Sequence, residues 1–186
     1  SELSQKLVFL DVEWLELSED EAQKLIDAPE LSKYKHYLES SRRYKDHVLK
    51  EEQEQILSAK SVTGRSAWVR FFDETLGAAK FELDGKELTE QEALSKLHES
   101  DRELRIRAHA SLTKTFKDLG RQLTFVFNTL LADKATNDKL RQYPSWITSR
   151  NLSNETDDAT VDALVNAVTD QYPLVQRYYK YRKSNI

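Results

Sequence analysis

A polar, aromatic-rich bend is the part of this chain whose residue types suit chemistry other than helix packing. It lies within residues 125–163, where an apolar helical run gives way to the bend and a newly capped helix follows. The side chains concentrated there include Arg141, Tyr143, Trp146, Arg150 and Asn151. A guanidinium presents donors in a fixed fork that suits a carboxylate or a carbonyl, and Tyr and Trp offer flat apolar faces with a polar edge. We therefore predict that these five residues can contact an extended peptide.

A structural interpretation of the same bend stays open. In it, Trp146 fills the joint between two helices while the Arg and Asn side chains bind loop carbonyl groups, which must find partners when they are buried. Taken alone, the residue types favour this structural interpretation over contact with a peptide.

Motifs for covalent or metal-dependent catalysis are not found in this sequence. There is no Cys to act as a nucleophile, and no Ser lies in a Gly-x-Ser-x-Gly turn. His98-Glu99 begins like the zinc-binding pattern His-Glu-x-x-His, but the second His position is Arg102, which cannot bind zinc. The sequence therefore predicts no catalytic residue, no metal ligand and no cofactor within these 186 residues.

Composition narrows the classes of partner. The net charge is −4, from 28 basic and 32 acidic residues, which argues against a nucleic-acid partner. The basic and aromatic runs at 42–45 and 178–183 fit solvated helix faces. No apolar run approaches the roughly 20 residues of a membrane span, so no membrane partner is predicted. The lack of Cys fits a reducing compartment, and we expect a cytoplasmic protein.

Local patterns predict an all-α fold, mainly helical, with one short β-hairpin near residues 79–88. Four Gly and three Pro leave few helix breaks. Capping patterns open helices at Ser18–Glu21, Thr89–Glu92 and Ser100–Glu103. Asp84-Gly85, between apolar residues, is a typical hairpin turn.

Domain boundaries are weakly marked. We predict that residues 1–186 form one N-terminal helical domain. In the alternative organisation, residues 1–78 and 89–186 form two helical sub-bundles joined by the hairpin. The run 123–131 is apolar on most sides, which predicts a buried helix. The sequence lacks Met and closes without a helix-stop signal, so we expect a fragment of a larger protein.

Four segments match a known family in order: Leu31–Leu57, Lys60–Phe81, Glu99–Ala110 and, most distinctively, Phe127–Leu152. Over them the chain resembles the oligoendopeptidase F family, zinc metallopeptidases related to thimet oligopeptidase. The resemblance implies an almost all-helical peptidase that cleaves short peptides inside a deep cleft. The family's N-terminal helices form one wall of that cleft, and this chain looks like that region.

The resemblance also implies what lies outside this sequence. The family's zinc is held by a His-Glu-x-x-His helix and a further Glu in the C-terminal portion, and none of those positions exists here. The implied partners are therefore an oligopeptide substrate and a missing C-terminal catalytic domain, with zinc bound by the parent enzyme. The alternative is a self-standing, non-catalytic helical module that binds another protein through apolar helix faces.

Overall fold

Helices dominate the computed structural model, which describes residues 6–185. The α-helices are α1 Val8–Glu16, α2 Glu19–Ile26, α3 Lys35–Arg42, α4 Glu51–Ser61, α5 Arg65–Ala78, α6 Glu90–Ser95, α7 Arg102–Asp118, α8 Gly120–Leu140, α9 Thr148–Ser153, α10 Asp158–Asp170 and α11 Tyr172–Asn185. Short 3-10 helices cover Pro29–Tyr34, Lys45–His47 and Lys96–His98, and the strands are β1 Phe81–Leu83 and β2 Lys86–Leu88. The predicted all-α class with one small hairpin is confirmed.

The chain folds into two compact units. The first contains Ser1–Phe9, described from residue 6, together with Lys50–Asn137. The second contains Leu10–Leu49 together with Asp138–Ile186, described to residue 185. The hairpin lies inside the first unit, and the division of the chain into sub-bundles at the hairpin stays a prediction.

The core of the first unit forms around the hairpin. Phe81, Ala93 and Leu112 are buried together, and the Phe81 and Phe116 rings meet edge to face with centroids 5.5 Å apart. The antiparallel register pairs Phe81 with Leu88, which keeps the apolar side of β1 against α6 and α7. The hairpin thus contributes the central aromatic residue of this core.

The turn of the hairpin has the conformation that its sequence predicts. Asp84 and Gly85 both adopt positive φ, at 54° and 77°, as a two-residue type I′ turn requires. The Asp84 carboxylate accepts two hydrogen bonds from the Arg107 guanidinium, at 2.9 and 3.0 Å. That contact lowers the pKa of Asp84 below its ordinary value, and it ties the turn to α7.

Two of the three predicted helix starts are confirmed as capping boxes. The Ser18 hydroxyl accepts from the backbone N–H of Glu21, and the Glu21 carboxylate accepts from the backbone N–H of Ser18. Thr89 and Glu92 make the same reciprocal pair at the start of α6. Each box satisfies backbone donors that a helix start leaves free.

The third predicted start is wrong by one residue. The N-cap of α7 is Asp101, whose carboxylate accepts from the backbone N–H of Glu103 at 2.9 Å. Asp caps a helix as well as Ser does. The Arg105 guanidinium also binds the carbonyl oxygens of Glu99 and Ser100, both at 2.8 Å, which holds Ser100 outside the helix.

An arginine that is largely removed from solvent organises the second unit. The Arg42 guanidinium donates to the carbonyl oxygens of Trp14, at 2.9 Å, and Leu17, at 3.0 Å, and to the Glu19 carboxylate at 2.6 Å. It also lies over the Trp14 ring, 5.4 Å from its centre, and its side chain is only 9% exposed. The Trp14 indole N–H donates to the Ser41 hydroxyl at 2.9 Å. These contacts join the end of α1 and the start of α2 to the end of α3.

The predicted burial of residues 123–131 is wrong. Val126 is buried, but Phe125 is 59% exposed, Phe127 62% and Leu131 52%. An all-round apolar helix needs neighbours on every side, and the described elements cover only one side of this part of α8. The apolar stripe of α10 is likewise exposed, at Leu164, Val165 and Val168.

A helix that crosses a bilayer must be long and continuously apolar. Within residues 6–185, none is both long enough and apolar enough to cross a bilayer.

The contacts of Glu19 predict a pH-dependent contribution to stability. Hydrogen bonds from Lys45, at 2.7 Å, and from Arg42 hold the pKa of Glu19 below its ordinary value. Because the pKa is lowered on folding, this contribution is present above the ordinary pKa of Glu and is lost as the pH falls through the folded value. Urea unfolding of Glu19→Gln should therefore show lower stability than the unaltered chain at pH 7, and the difference should shrink as the pH is lowered below the ordinary pKa of Glu.

Asp20→Asn is the matched control, since it removes the same charge from the same exposed helix turn. If Glu19→Gln lowers the stability to urea as much at low pH as at pH 7, the ionic origin of the stabilisation is contradicted.

Candidate functional site

The bend begins where α8 ends in a Schellman motif. The backbone N–H of Tyr143 donates to the Asp138 carbonyl at 2.9 Å, and that of Gln142 donates to the Lys139 carbonyl at 3.3 Å. Gln142 adopts positive φ, 56°, where glycine is usual. A left-handed conformation costs a non-glycine residue about 1–2 kcal/mol. The helix therefore stops here through backbone geometry, and Pro144 disfavours a helical conformation at Tyr143, the residue before it.

The short helix of the bend, α9, ends in the same way. The backbone N–H of Thr156 donates to the Asn151 carbonyl at 3.0 Å, and that of Glu155 donates to the Leu152 carbonyl at 3.1 Å. Glu155 again carries the positive φ, 54°. Two helix stops of one type thus set the path of the chain before and after α9.

The side chain of Glu155 contacts two basic side chains of the α3 region. Its carboxylate lies 3.0 Å from His36 Nε2 and 3.5 Å from an Arg43 guanidinium nitrogen. Glu155 therefore has two roles, since its backbone adopts the left-handed conformation that ends α9 and its side chain binds the α3 region. It also fixes the far end of the bend to α3.

The near end of the bend is fixed by His47. Its Nδ1 atom lies 2.9 Å from the Arg141 carbonyl oxygen, so the tautomer protonated at Nδ1 donates a hydrogen bond there. The Arg141 guanidinium donates in return to the His47 carbonyl at 3.2 Å. The rings of His47 and Tyr143 lie 4.1 Å apart at an angle of 36°. Arg141 and Tyr143 are therefore half-buried against His47.

Asn151 holds α9 to α10. It is 5% exposed, and its side-chain amide donates to the Asp158 carboxylate at 2.7 Å. Asp157 caps α10 by accepting from the backbone N–H of Thr160 at 2.6 Å, and that bond lowers the pKa of Asp157. The structure gives Asn151 a part in building the bend, and contact between Asn151 and a substrate stays a prediction.

Trp146 and Arg150 are the candidate contact residues that face solvent. Trp146 is 75% exposed, and Arg150 is exposed on α9. The indole offers a flat apolar surface and the guanidinium offers a fork of donors, both available to a ligand. The structure therefore separates the five predicted residues into two that face solvent, two that contact His47 and one that is buried.

Sequence reasoning missed four residues that hold the bend: His36, Arg43, His47 and Glu155. His47 lies 94 residues from Arg141 in the chain, and Arg43 lies 112 residues from Glu155. No sequence motif predicts contacts between residues so far apart in the chain. The basic run at 42–45 was the available signal, and its cations proved to bind backbone carbonyls and carboxylates.

The residues present do not fit the zinc that the resemblance implies. Over residues 6–185, no three His, Cys, Asp or Glu side chains come together in a group that could hold a metal ion. His98 lies at the end of a 3-10 helix, and its partner position in the zinc pattern, Arg102, begins α7. No chemical step through zinc is assigned to this chain.

Comparison with known proteins gives one consistent class, the oligopeptidases. The family model described as Oligopeptidase F matches residues 13–81. The chain is 26% identical to the Group B oligopeptidase PepB of Streptococcus agalactiae serotype III (strain NEM316), a match that covers 98% of this chain and 32% of that protein. It is 27% identical to the oligopeptidase PepF of Bacillus subtilis (strain 168), over 94% of this chain and 27% of that protein.

A solved structure agrees with these relatives in fold. The crystal structure of oligoendopeptidase-F from Enterococcus faecium superposes with a TM-score of 0.84 at 24% identity, over 98% of this chain and 37% of that one. The predicted resemblance to the oligoendopeptidase F family, over its N-terminal region, is confirmed. The chain spans about a third of the length of the curated relatives it matches.

The buried amide of Asn151 predicts a loss of stability when it is removed. Asn151→Ala leaves the Asp158 carboxylate without its partner and should lower the free energy of unfolding by about 1–3 kcal/mol. Asn154→Ala, at an exposed position three residues on, is the control and should change it by less than about 0.5 kcal/mol. Equal effects of the two substitutions in urea unfolding would contradict the role assigned to Asn151.

Proposed function

We propose that this chain is the N-terminal, substrate-channel-forming part of a zinc-dependent oligoendopeptidase that hydrolyses short peptides. The observation that supports this best is the match along nearly the whole chain to proteins named oligopeptidases, each about three times as long. The fold match to oligoendopeptidase-F, also along nearly the whole chain, adds to it. We expect residues 1–186 to act as one N-terminal helical domain of that enzyme.

Catalysis belongs, in this proposal, to a part of the enzyme outside these 186 residues. The described side chains offer no donor set for zinc, so zinc would be held by a C-terminal catalytic domain. The 186-residue chain by itself is expected to be inactive. The proposed setting is the cytoplasm, and the proposed partners are oligopeptide substrates and the catalytic domain.

The exposed apolar residues of the terminal helices support a large intramolecular partner. Leu164 and Val165 on α10 are 65% and 55% exposed, and Tyr178 and Tyr179 on α11 are 57% and 60% exposed. Large apolar side chains that form an exposed patch are typical of an interface with another domain or protein. The catalytic domain is the partner that the comparisons favour.

The bend supplies the proposed contacts with peptide. Trp146 would pack against a side chain or a peptide plane, and Arg150 would bind a carbonyl or carboxylate. Arg141 and Tyr143, which lie against His47, would also contact the peptide. Asn151 would maintain the bend that presents the other four residues. Peptide recognition here rests on the residue types and on the exposure of Trp146 and Arg150.

A second candidate function is a non-catalytic helical interaction module. The same exposed apolar faces on α8, α10 and α11 favour it. The two candidates differ in one readily observed feature. A reading frame that continues into a His-Glu-x-x-His helix favours the peptidase, and one without that motif favours the module.

The test of the proposed function compares the protein from the complete reading frame with the 186-residue chain. With a quenched-fluorescence peptide of about ten residues, the complete protein should hydrolyse the substrate, lose activity after chelation and recover it with zinc. The 186-residue chain should stay at the rate of a blank without protein. Hydrolysis by the repurified 186-residue chain, or by a chelated complete protein, would contradict the proposal.

The exposed bend residues predict a kinetic effect without loss of fold. In the complete enzyme, Trp146→Ala and Arg150→Ala should each raise KM about threefold to tenfold, since each removes contacts made to bound substrate. The melting temperature should stay unchanged because both side chains face solvent. A lowered melting temperature with unaltered kinetics would instead support the structural interpretation of the bend. Lys24→Ala on exposed α2 is the control.

A further inference from the structure

A groove between α5 and α8 lies in the first unit, and none of the bend residues lines it. Its volume is about 630 Å³, and its walls include Trp68 and Phe71 from α5 and Arg121, Phe125 and Asn128 from α8. Ligand pockets in proteins commonly have volumes of roughly 300–1,000 Å³. The groove is therefore large enough for one residue of a peptide with its neighbouring backbone.

Aromatic rings form the apolar part of the groove. The Trp68 and Phe125 rings lie 5.2 Å apart at an angle of 57°, and the Trp68 and Phe71 rings lie 6.3 Å apart, edge to face. Phe125 is nevertheless 59% exposed and Phe71 43% exposed. The three rings thus present an ordered apolar surface that remains open to a ligand.

The described lining of the groove combines aromatic and polar side chains with a single charge. Among the described residues that line it, Arg121 is the one ionisable side chain. Arg121 and Phe125 are four residues apart on α8, a spacing that puts their Cβ atoms roughly 5–6 Å apart on one helix face. A carboxylate and a large side chain on the same Cα atom are neighbours too, so one C-terminal residue offers a group to each of these two side chains.

We propose that this groove binds the C-terminal residue of short peptides that end in a large apolar side chain. The free carboxylate binds the Arg121 guanidinium, which is suited to a bidentate pair with a carboxylate. The side chain packs against Trp68 and Phe125, and the Asn128 amide is available to the peptide backbone. A cationic ligand would be repelled by Arg121, although aromatic rings attract cations. The proposal goes beyond peptide hydrolysis and does not depend on it.

The indole resonances of the 186-residue chain provide the test. The chain has three Trp residues, and Trp14 and Trp146 both lie in the second unit. In a ¹⁵N-labelled sample, acetyl-Ala-Phe with a free carboxylate should shift one indole N–H signal in a saturable way. That signal should be the one that disappears in Trp68→Phe. The C-terminally amidated peptide should bind about tenfold more weakly, since it lacks the charge-assisted pair.

Two arginine variants separate the carboxylate contact from a general charge effect. Arg121→Gln should weaken binding of the free acid about tenfold and leave binding of the amide unchanged. Arg177→Gln removes the same charge from exposed α11 and should change neither affinity. Unaltered melting temperatures show that both variants stay folded.

Phe125→Leu tests the ring contact with a substitution that preserves an apolar side chain. It should weaken the binding of both peptides, the free acid and the amide. The proposal is overturned by equal affinity for acid and amide, by saturable shifts confined to Trp14 or Trp146, or by no saturable shift of the Trp68 signal.

Discussion

Helix α1 ends with carbonyl groups that have no partner within the helix, and the Arg42 guanidinium supplies that partner from α3. The last carbonyls of any helix carry partial negative charge, so a cation there gains electrostatic energy as well as hydrogen bonds. Arg42 binds the carbonyls of Trp14 and Leu17 and the carboxylate of Glu19 at the same time. Lys45 binds two of the same acceptors, Leu17 and Glu19. Arg42 differs from a lysine in that its planar guanidinium spreads donors over two nitrogens, one directed at Trp14 and the other at Leu17 and Glu19.

The same region carries the contacts that hold the bend. His36 on α3 and Arg43 directly after it bind Glu155 at the far end of the bend. His47, in the 3-10 helix that follows, binds Arg141 and contacts Tyr143 at the near end. The direction in which α9 presents Trp146 and Arg150 therefore depends on the placement of α3. That placement depends in turn on Arg42.

Local patterns predicted the features that local interactions determine. The hairpin at Asp84-Gly85 and the capping boxes at Ser18 and Thr89 follow from the conformations of a few adjacent residues. The start of α7 was misplaced because two good capping residues, Ser100 and Asp101, are adjacent. The contacts made by Arg42 and His47 join residues 28 and 94 positions apart, and no local pattern encodes them. Periodicity showed that residues 123–131 are apolar, but it could not show that few neighbours cover them.

Hydrogen exchange in Arg42→Ala tests most directly whether the bend depends on the arginine of α3. The measurement is the exchange of backbone amides followed by mass spectrometry, in conditions where circular dichroism shows the variant to be folded, with Arg177→Ala as the control. The account predicts faster exchange in two segments, residues 10–49 and residues 138–158, because loss of Arg42 frees α3 and then the bend that α3 holds. Faster exchange in residues 10–49 with unaltered exchange in residues 138–158 would contradict it.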